Sequence, residues 1–490
     1  MTTREAAIAT NRFGLGARPG ELADAASDPR GWLLRQLRGA HPAPPELAGL
    51  APAAEVLAGF QAGRAERRAR RQAAGAVAGP ATAPPGPGAA ASGSDPVAAV
   101  VAGLRSQVLP HYLAAAAART RIAIATREPF RERLVHFWSN HFAVSVDKPI
   151  CLGTAGALEN EAIRPHLDGR FVDLLVAVEQ HPAMITYLDN TFSVGPDSKL
   201  AQRAAGRAPQ GRRLDINENL AREILELHTL GVDGGYTQDD VTSFARVLTG
   251  WSIGGGQGRL AGGTPGAFFF REGLHEPGAR MVLGRRYAQD GVEQGEAVLR
   301  ELARHPATAR HVATKLVRHF VADEPPPRAV EAVARAFRDS DGDLPTVHAA
   351  LVKLDEPWAV DAPRKFKTPQ DFVFSAGRGL GLEAAQAQAQ AARAPIAPLE
   401  LLGQRPWSPG SPAGWPDRAA DWDGADALMK RIEWSVALAD RVGESHAAVA
   451  AAEQMLGEGL TAATRRGLQR AASGSQALVL LLMSPEFQRR

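Results

Sequence analysis

Helical periodicity with clear start signals dominates the central part of the chain and restricts the folds that it can adopt. In HPATARHVATKLVRHFVA, Val312, Leu316 and Phe320 lie four residues apart, which predicts an apolar stripe on one helix. In KFKTPQDFVFSAGRGLG, Thr368 is a typical N-cap and Pro369 a typical first helical residue. Strand and helix patterns do not alternate, so no parallel sheet is expected. The sequence therefore predicts a mainly α fold with one large multi-helix domain.

One stretch breaks the helical pattern. Residues 267–287, AFFFREGLHEPGARMVLGRRY, contain two short apolar runs separated by a polar turn with Gly and Pro. Because short apolar runs around such a turn are typical of paired strands, we expect a minor β-hairpin here.

Two low-complexity segments divide the chain. Residues 63–96 start with GRAERRARRQ, which could extend a helix, and continue as Ala, Gly, Pro and Ser without periodicity. This composition predicts a flexible Ala/Gly/Pro linker near residues 64–96. In the second segment, EAAQAQAQAARAP predicts either a helix extension or another linker. The expected organisation is an N-terminal helical segment at 1–62, the linker at 63–96, the main helical domain at 97–382, a low-complexity segment at 383–396, and a C-terminal loop and helices packing on the main domain at 397–490.

Charge and cysteine content exclude several kinds of protein. The chain has 56 basic and 53 acidic residues, and a net charge of +3 gives no reason to expect binding to nucleic acid. The single cysteine, Cys151, excludes an internal disulfide and a cysteine-based metal cluster. Nowhere do about 18 apolar residues run together, so no membrane span is expected. The start of the chain has no signal-peptide pattern, and we therefore expect a cytoplasmic protein.

The stretch NENLAREILELHTLGVDGGYTQDDV is dense in amides, carboxylates and charged groups. Just before and within it, Asp215 and Glu218 have capping-box spacing, which predicts a helix that begins at Ile216. Thr237 and Asp240 have the same spacing and predict the start of the following helix.

A polar arc on the first of these helices allows two interpretations. At about 100° per residue, four side chains fall within one arc: Asn219, Arg222, Glu223 and Glu226. A surface helix with an Arg222–Glu226 salt bridge explains them without any function. A buried polar stripe is the alternative, in which the paired carboxylates bind a cation or divide acid and base roles.

Histidines supply further candidates. His228 points into the apolar side of its helix and is expected to be a core histidine with one hydrogen bond. His136 and Asn140 share a helix face, either in a structural network or in an active site, whereas His136 and His141 are too far apart around the helix to share a metal. His275, in the polar turn, could be a base or a ligand.

Two groups of cations could meet an anion. Lys365 and Lys367 precede the helix that Thr368 caps, where they form either an anion pocket or an ordinary surface turn. A second group lines much of one helix face: Arg304, His311, Lys315 and Arg318.

Taken together, these segments resemble a bacterial family named domain of unknown function 1800. The resemblance is carried by RFGLGARPGE, ERLVHFWSNHFAVS, HPAMITYLDN, the NENLAREILELHTLGVDGGYTQDDV stretch, LTGW, HEPGARMVLG, KFKTPQDFVFSAGRGLG and GQRPWSPGSPAGWPD, in family order. The polar family positions fall on Asn140, His141, Asn217, Glu218, Asn219, Arg222, Glu223, Glu226 and His275. The resemblance implies a predominantly helical fold and no assigned activity. It also implies a partner, because many members are encoded beside domain of unknown function 1501 proteins, and some members are exported.

Two function hypotheses remain. The first is an enzyme, a hydrolase or group transferase that acts on a polar or anionic substrate and could use a divalent metal. Its catalytic residues would be Glu223, Glu226, His141 and His275, with Glu223 and Glu226 also the candidate metal ligands. Its substrate-binding residues would be Asn140, Asn219, Arg222, Lys365 and Lys367. The alternative is a non-catalytic helical scaffold or accessory protein for a partner enzyme encoded nearby.

Overall fold

The computed structural model describes residues 4–77, 96–205, 215–256, 261–382, 396–442 and 447–490. Helices account for most of these residues, which confirms the predicted mainly α fold. The α-helices span Arg4–Ile8, Glu21–Ala26, Pro29–Arg35, Ala53–Val77, Pro96–Ala125, Pro129–His141, Ala155–Leu158, Arg164–His166, Phe171–Glu179, Pro182–Tyr187, Lys199–Ala205, Asn219–Glu223, Gln238–Val247, Val292–Arg304, Pro306–Phe320, Pro327–Asp339, Leu344–Lys353, Pro369–Gly379, Ala397–Leu401, Ala425–Val442, Ala448–Leu456, Ala462–Gln469 and Gly474–Leu482.

Shorter helical turns connect these helices. Turns of π-helix span Ala9–Phe13, Glu159–Ile163 and Ile224–His228. Turns of 3-10 helix span Pro45–Leu47, Pro149–Gly153, Asn190–Phe192, Glu272–Leu274, Glu356–Trp358, Ala419–Asp421 and Gly457–Gly459.

The strands form two small antiparallel pairs, which confirms a minor β component. Arg280–Val282 pairs with Arg285–Tyr287 as a tight hairpin within the predicted stretch. The two apolar runs of that stretch do not pair with each other, because Phe268–Phe270 pairs instead with the earlier strand Trp251–Ile253. Trp251 offers Phe268 an edge-to-face contact with ring centroids 5.5 Å apart, which favours this longer-range pairing.

Capping signals predicted two of three helix starts correctly. Thr368 accepts a hydrogen bond from Asp371 N, and the helix begins at Pro369. Thr237 and Asp240 form the reciprocal capping box that their spacing predicts.

The predicted helix start at Ile216 is wrong, because the helix begins at Asn219. The Asp215 carboxylate accepts from its neighbour Ile216 N at 2.8 Å instead of capping a helix. Asn217 Oδ1 then accepts from Asn219 N at 2.9 Å and supports the actual start. The short α-helix continues as the π-helical turn Ile224–His228.

The first residues of the predicted linker are helical. The Ala53–Val77 helix includes GRAERRARRQ, so the first part of 63–96 does extend a helix. The rest of that linker, up to residue 95, lies outside the described residues, as does the low-complexity segment 383–395.

Two large apolar clusters form most of the core, and a third, minor one consists of Ala6, Ala17, Leu22 and Ala25. The larger cluster gathers side chains from most of the chain and includes Phe130 and Trp138. The second large cluster packs the Pro369–Gly379 helix, through Phe372, against C-terminal helices that contribute Trp434 and other apolar side chains. Loop residues 404–421 lie between these two clusters. Polar side chains of this loop and of the neighbouring helices face a common space there. Among the described residues, no helix is both long enough and apolar enough to cross a membrane.

Candidate functional site

A polar cleft of about 290 Å³ lies between the two large apolar clusters. Its walls are the Pro129–His141 helix, the C-terminal half of Pro306–Phe320, the start of Pro369–Gly379, and the loop from Gln404 to Asp421. The helices present their polar residues to the cleft because their apolar faces are buried in the core. We call this space the cleft.

Three cations in the cleft wall have no carboxylate within ion-pair distance among the described residues. Lys315 forms no hydrogen bond there, and Arg318 donates only to the Asp323 carbonyl, at 3.4 Å. Arg405 donates its Nε–H to Tyr112 Oη at 3.1 Å and lies over that ring. Burial and the nearby Arg318 lower the pKa of Lys315 to about 8. Positive charge is therefore available in the cleft for a ligand.

Two further arginines of the cleft are neutralised by buried carboxylates. Arg119 donates from Nε to Glu159 Oε2 at 2.9 Å, and Arg133 pairs with Asp371 at 2.9 Å. Burial by itself would raise the pKa of Asp371, but Arg133 and other cations hold it well below its ordinary value. These two ion pairs form part of the cleft wall, and the opposite charges within each pair largely cancel.

A carboxylate–histidine pair faces the same space. The Nδ1 atom of His319 lies 2.8 Å from Asp417 Oδ2, and its Nε2 atom lies 3.3 Å from Arg133 Nη1. A guanidinium only donates, so Nε2 accepts from Arg133 and Nδ1 carries the proton that is donated to Asp417. Burial lowers the pKa of His319 to about 4, with Asp417 acting in the opposite direction. At neutral pH the imidazole is therefore neutral, with its lone pair on Nε2.

Buried cations hold this pair from behind. Arg490 forms ion pairs with Asp371 at 2.9 Å and Asp417 at 3.3 Å, and donates to the His319 carbonyl at 2.9 Å. Lys365 donates to the Asp417 carbonyl at 2.7 Å. Although burial would raise the pKa of Asp417, His319, Lys365 and Arg490 lower it to about 2, so the carboxylate is ionised.

Asn140 fastens the cleft loop to the helix. Its side-chain amide donates to the Trp415 carbonyl at 2.9 Å and accepts from Trp415 N at 2.7 Å. Gly414, with φ 86°, precedes this clamp, and a Cβ there would collide with the Asn140 carbonyl oxygen. Both polar ends of the Asn140 amide are thus used inside the protein, and its role is to position the loop.

Trp407, in the same loop, has an unusual backbone conformation. Its φ of 48° lies in the left-handed region, which bulky residues rarely adopt. The surroundings hold it there, because Val146 N donates to the Trp407 carbonyl at 2.8 Å and its indole donates to Glu159 at 3.1 Å. Such strain, of about 1–3 kcal/mol, is concentrated at functional sites.

His141 connects the cleft to a group of buried histidines. It donates from Nε2 to the His228 carbonyl at 3.1 Å, and its ring lies 6.1 Å from that of His311. Burial lowers the pKa of His141 well below its ordinary value and that of His311 to about 4. His228 is fully buried and hydrogen-bonded to Glu179 at 2.8 Å, as expected for a core histidine.

The other predicted site residues lie elsewhere. Of the nine predicted catalytic and substrate-binding residues, only Asn140 and His141 line the cleft. Arg222 pairs with Glu218 at 3.0 Å instead of with Glu226, and also donates to Gln238 at 2.9 Å. Within the described part of the chain, the Glu226 carboxylate accepts a single hydrogen bond, from Tyr236 Oη at 3.4 Å. This network holds two consecutive helices together at the surface.

Glu223 and Asn219 lie on the same partly exposed helix, where Asn219 is exposed and Glu223 half-buried. Burial raises the pKa of Glu223, and the neighbouring Glu226 carboxylate raises it further. Among the described residues, no group of three or more His, Cys, Asp or Glu side chains is placed to hold a metal ion. The roles of Glu223 and Glu226 as metal ligands stay a prediction.

His275 and the two lysines have protein partners. His275 donates from Nδ1 to the Thr249 carbonyl at 2.9 Å and packs against Phe270 near the strands. Lys365 is buried behind the Asp417 carbonyl, as described above, and Lys367 donates to Ser375 Oγ at 3.0 Å. Neither lysine lines the cleft.

Sequence reasoning missed His319, Asp417 and Arg405, but one signal pointed to the cleft. The helix face with Lys315 and Arg318 was named as one that could meet an anion, and both residues line the cleft. Arg304, at the end of the preceding helix, pairs instead with Asp341 at 2.9 Å.

Comparison with known proteins identifies one family. Residues 8–489 match the family described as "Protein of unknown function (DUF1800)". No curated protein and no solved structure matches this chain.

Proposed function

Because this chain belongs to the DUF1800 family, whose description assigns no activity, we propose a function from its own geometry: an enzyme, a hydrolase or group transferase, that acts on a small anionic substrate in the cleft. One observation carries this proposal. Three cations without a carboxylate partner among the described residues line the same cleft as the His319–Asp417 pair.

The cations supply binding. An anionic group within reach of Lys315, Arg318 and Arg405 gains charge-assisted hydrogen bonds, which are the strongest kind in proteins. Arginine forks in particular fit phosphate and carboxylate groups. Trp407 and Trp415 line the cleft as well and give an apolar part of the substrate a surface to pack on.

The histidine pair supplies proton transfer. Burial lowers the pKa of His319, and Arg490 and Arg133 lower it further, so a bound anion that opposes their charge raises it. In a hydrolysis, Arg133 gives up its 3.3 Å hydrogen bond to His319 Nε2, and a water then donates a proton to the freed lone pair. The water oxygen bonds to the electrophilic phosphorus or carbonyl carbon while the bond from that atom to the leaving oxygen breaks. The ammonium of Lys315 gives a proton to the departing oxygen, and Asp417 stabilises the imidazolium.

Isothermal titration with inorganic phosphate tests the binding step. Lys315→Met should weaken phosphate binding about tenfold, because one hydrogen bond to a charged group is lost. Lys353→Met, at an exposed lysine on another helix, is the matched control and should bind as the wild type does. Equal affinity in Lys315→Met and the control would remove the cleft from the proposal.

A panel of chromogenic phosphate, sulfate and carboxylate esters tests the chemistry. His319→Gln should lose turnover of any ester that the wild type hydrolyses while phosphate still binds. Asp417→Asn should show a smaller loss, since the imidazole stays in place without its charged partner. Full activity in His319→Gln would contradict its role as the proton acceptor.

A second candidate function, as an accessory protein, is favoured by an apolar stripe on the Ala425–Val442 helix. Met429, Ile432 and Val436 share one face of this helix and are 56%, 40% and 42% exposed. Such a face suits a protein partner, and the family resemblance implies one of the domain of unknown function 1501 family. Ile432→Lys should reduce co-purification with that neighbour-encoded protein, whereas Val360→Lys, at a lone exposed valine, should not. No co-purification with the wild type would count against this candidate.

The cytoplasmic location, the lack of nucleic-acid binding and the use of a divalent metal stay predictions. The small net charge of +3 supports the predicted lack of nucleic-acid binding.

A further inference from the structure

A second concavity lies apart from the cleft, and five of the thirteen residues that line it are arginines. Its volume is about 80 Å³, well above the roughly 10–15 Å³ that a single water requires. The N-terminal helical turns, the loop before Lys365 and the end of the chain enclose it. We call it the arginine pocket and define it by five side chains: Arg4, Arg12, Arg364, Arg489 and Arg490.

Most of this charge is not neutralised by the described residues. The buried Arg12 guanidinium donates to the carbonyls of Val321, at 3.2 Å, and Pro363. Arg364 is exposed and has no hydrogen-bond or ion-pair partner among the described residues. The Arg489 guanidinium has one partner in the described residues, the Pro485 carbonyl at 3.3 Å.

One carboxylate lines the arginine pocket, and its hydrogen bonds go elsewhere. Glu486 accepts from Thr464 Oγ1 at 2.9 Å and from Thr461 N at 3.2 Å. Burial lowers the pKa of Arg12 to about 10, and repulsion from the nearby Arg490, Arg364 and Arg4 acts in the same direction. An anion placed among them would relieve that repulsion.

We propose that the arginine pocket binds a tetrahedral oxyanion, a phosphate group. Guanidinium groups hold phosphate oxygens through paired hydrogen bonds, and their number here exceeds what one carboxylate can balance. This site is separate from the cleft, because the two concavities share no lining residue. Arg490 lies between them, since it also pairs with Asp371 and Asp417 of the cleft wall.

Titration of the full chain with inorganic phosphate, and in parallel with phenyl phosphate, tests this site. Arg364→Gln should weaken phosphate binding at one site about tenfold, since a charged hydrogen-bond donor is lost. Binding of inorganic phosphate alone indicates the free ion, and binding of both indicates a phosphate ester. Both results support the proposal.

The matched control is Arg286→Gln, at an exposed arginine of the hairpin that has no partner among the described residues and should bind phosphate as the wild type does. Lys315→Met separates the two sites, because it affects the cleft and leaves the Arg364-dependent binding intact. The proposal for the arginine pocket is overturned if Arg364→Gln binds phosphate as tightly as the wild type does, or if the wild type binds no phosphate. Either result counts against this pocket independently of any result at the cleft.

Discussion

His348 lies in the core, where its Nε2 atom accepts a hydrogen bond from Trp138 Nε1 at 3.1 Å. Burial lowers its pKa to about 3, whereas an unfolded histidine titrates near 6.5. Between these pH values the unfolded chain binds a proton that the native chain does not. The stability contributed by the neutral His348 is therefore complete above about pH 6.5 and is lost as the pH falls towards 3.

The free energy of unfolding should thus fall on mild acidification, by about 1.4 kcal/mol per pH unit for each such histidine. His311 and His319, whose pKa values are lowered to about 4, add to the effect. His348→Gln keeps an acceptor for Trp138 but does not titrate, so urea unfolding between pH 7 and 5 should show a shallower slope. An unchanged slope in the variant would mean that His348 is not the titrating group.

At the scale of elements, Asp240 does more than cap a helix. Its Oδ2 atom accepts from Thr237 N at 2.9 Å, and its Oδ1 atom accepts from Leu283 N at 2.7 Å in the hairpin turn. Leu283 has a φ of 50°, which is unfavourable for a leucine, so this hydrogen bond holds a strained turn on the helix.

Asp240→Ala should therefore destabilise the protein more than Thr237→Ala does. A lost cap costs about 1 kcal/mol, and the lost bond to the turn adds about 1 kcal/mol more. Asp239→Ala, in the same helical turn and exposed, is the control and should change the unfolding free energy little. Equal losses for the two cap variants would show that the turn does not depend on Asp240.

Local signals predicted helix starts where the capping side chain accepts from the backbone N–H three residues later, as at Thr368 and Thr237. They failed at Asp215, whose carboxylate bonds to its own neighbour. Strand pairing failed for a different reason, because the partner of Phe268–Phe270 is chosen by packing against Trp251 and not by the nearest turn.

For the whole molecule, the mainly α fold followed from periodicity, but the cleft did not. It forms where segments far apart in sequence meet, and only the tertiary fold brings His319 next to Asp417. Asn140 and His141 were identified from one of those segments, and Lys315 and Arg318 from another. The loop GQRPWSPGSPAGWPD has no periodicity from which the position of Arg405 could be derived.

Arg490 bonds to three segments of the cleft wall, through Asp371, Asp417 and the His319 carbonyl. Its replacement should therefore weaken the packing of these segments against each other. Arg490→Lys keeps one positive charge but cannot reach Asp371, Asp417 and the His319 carbonyl at once. We expect a loss of about 1–3 kcal/mol in the free energy of unfolding. Amide hydrogen exchange, followed by mass spectrometry, should become faster in residues 414–422 of the cleft loop.

Arg489→Lys is the matched control for this prediction, because the neighbouring Arg489 is exposed and, among the described residues, bonds only to a carbonyl. Its exchange in the cleft loop should equal that of the wild type. The comparison tests whether the loop depends on Arg490, since Asn140 also holds the loop through its two hydrogen bonds to Trp415. If exchange in 414–422 is the same in both variants, the loop does not depend on Arg490, and the Asn140 clamp and the Lys365 hydrogen bond to the Asp417 carbonyl hold it in place.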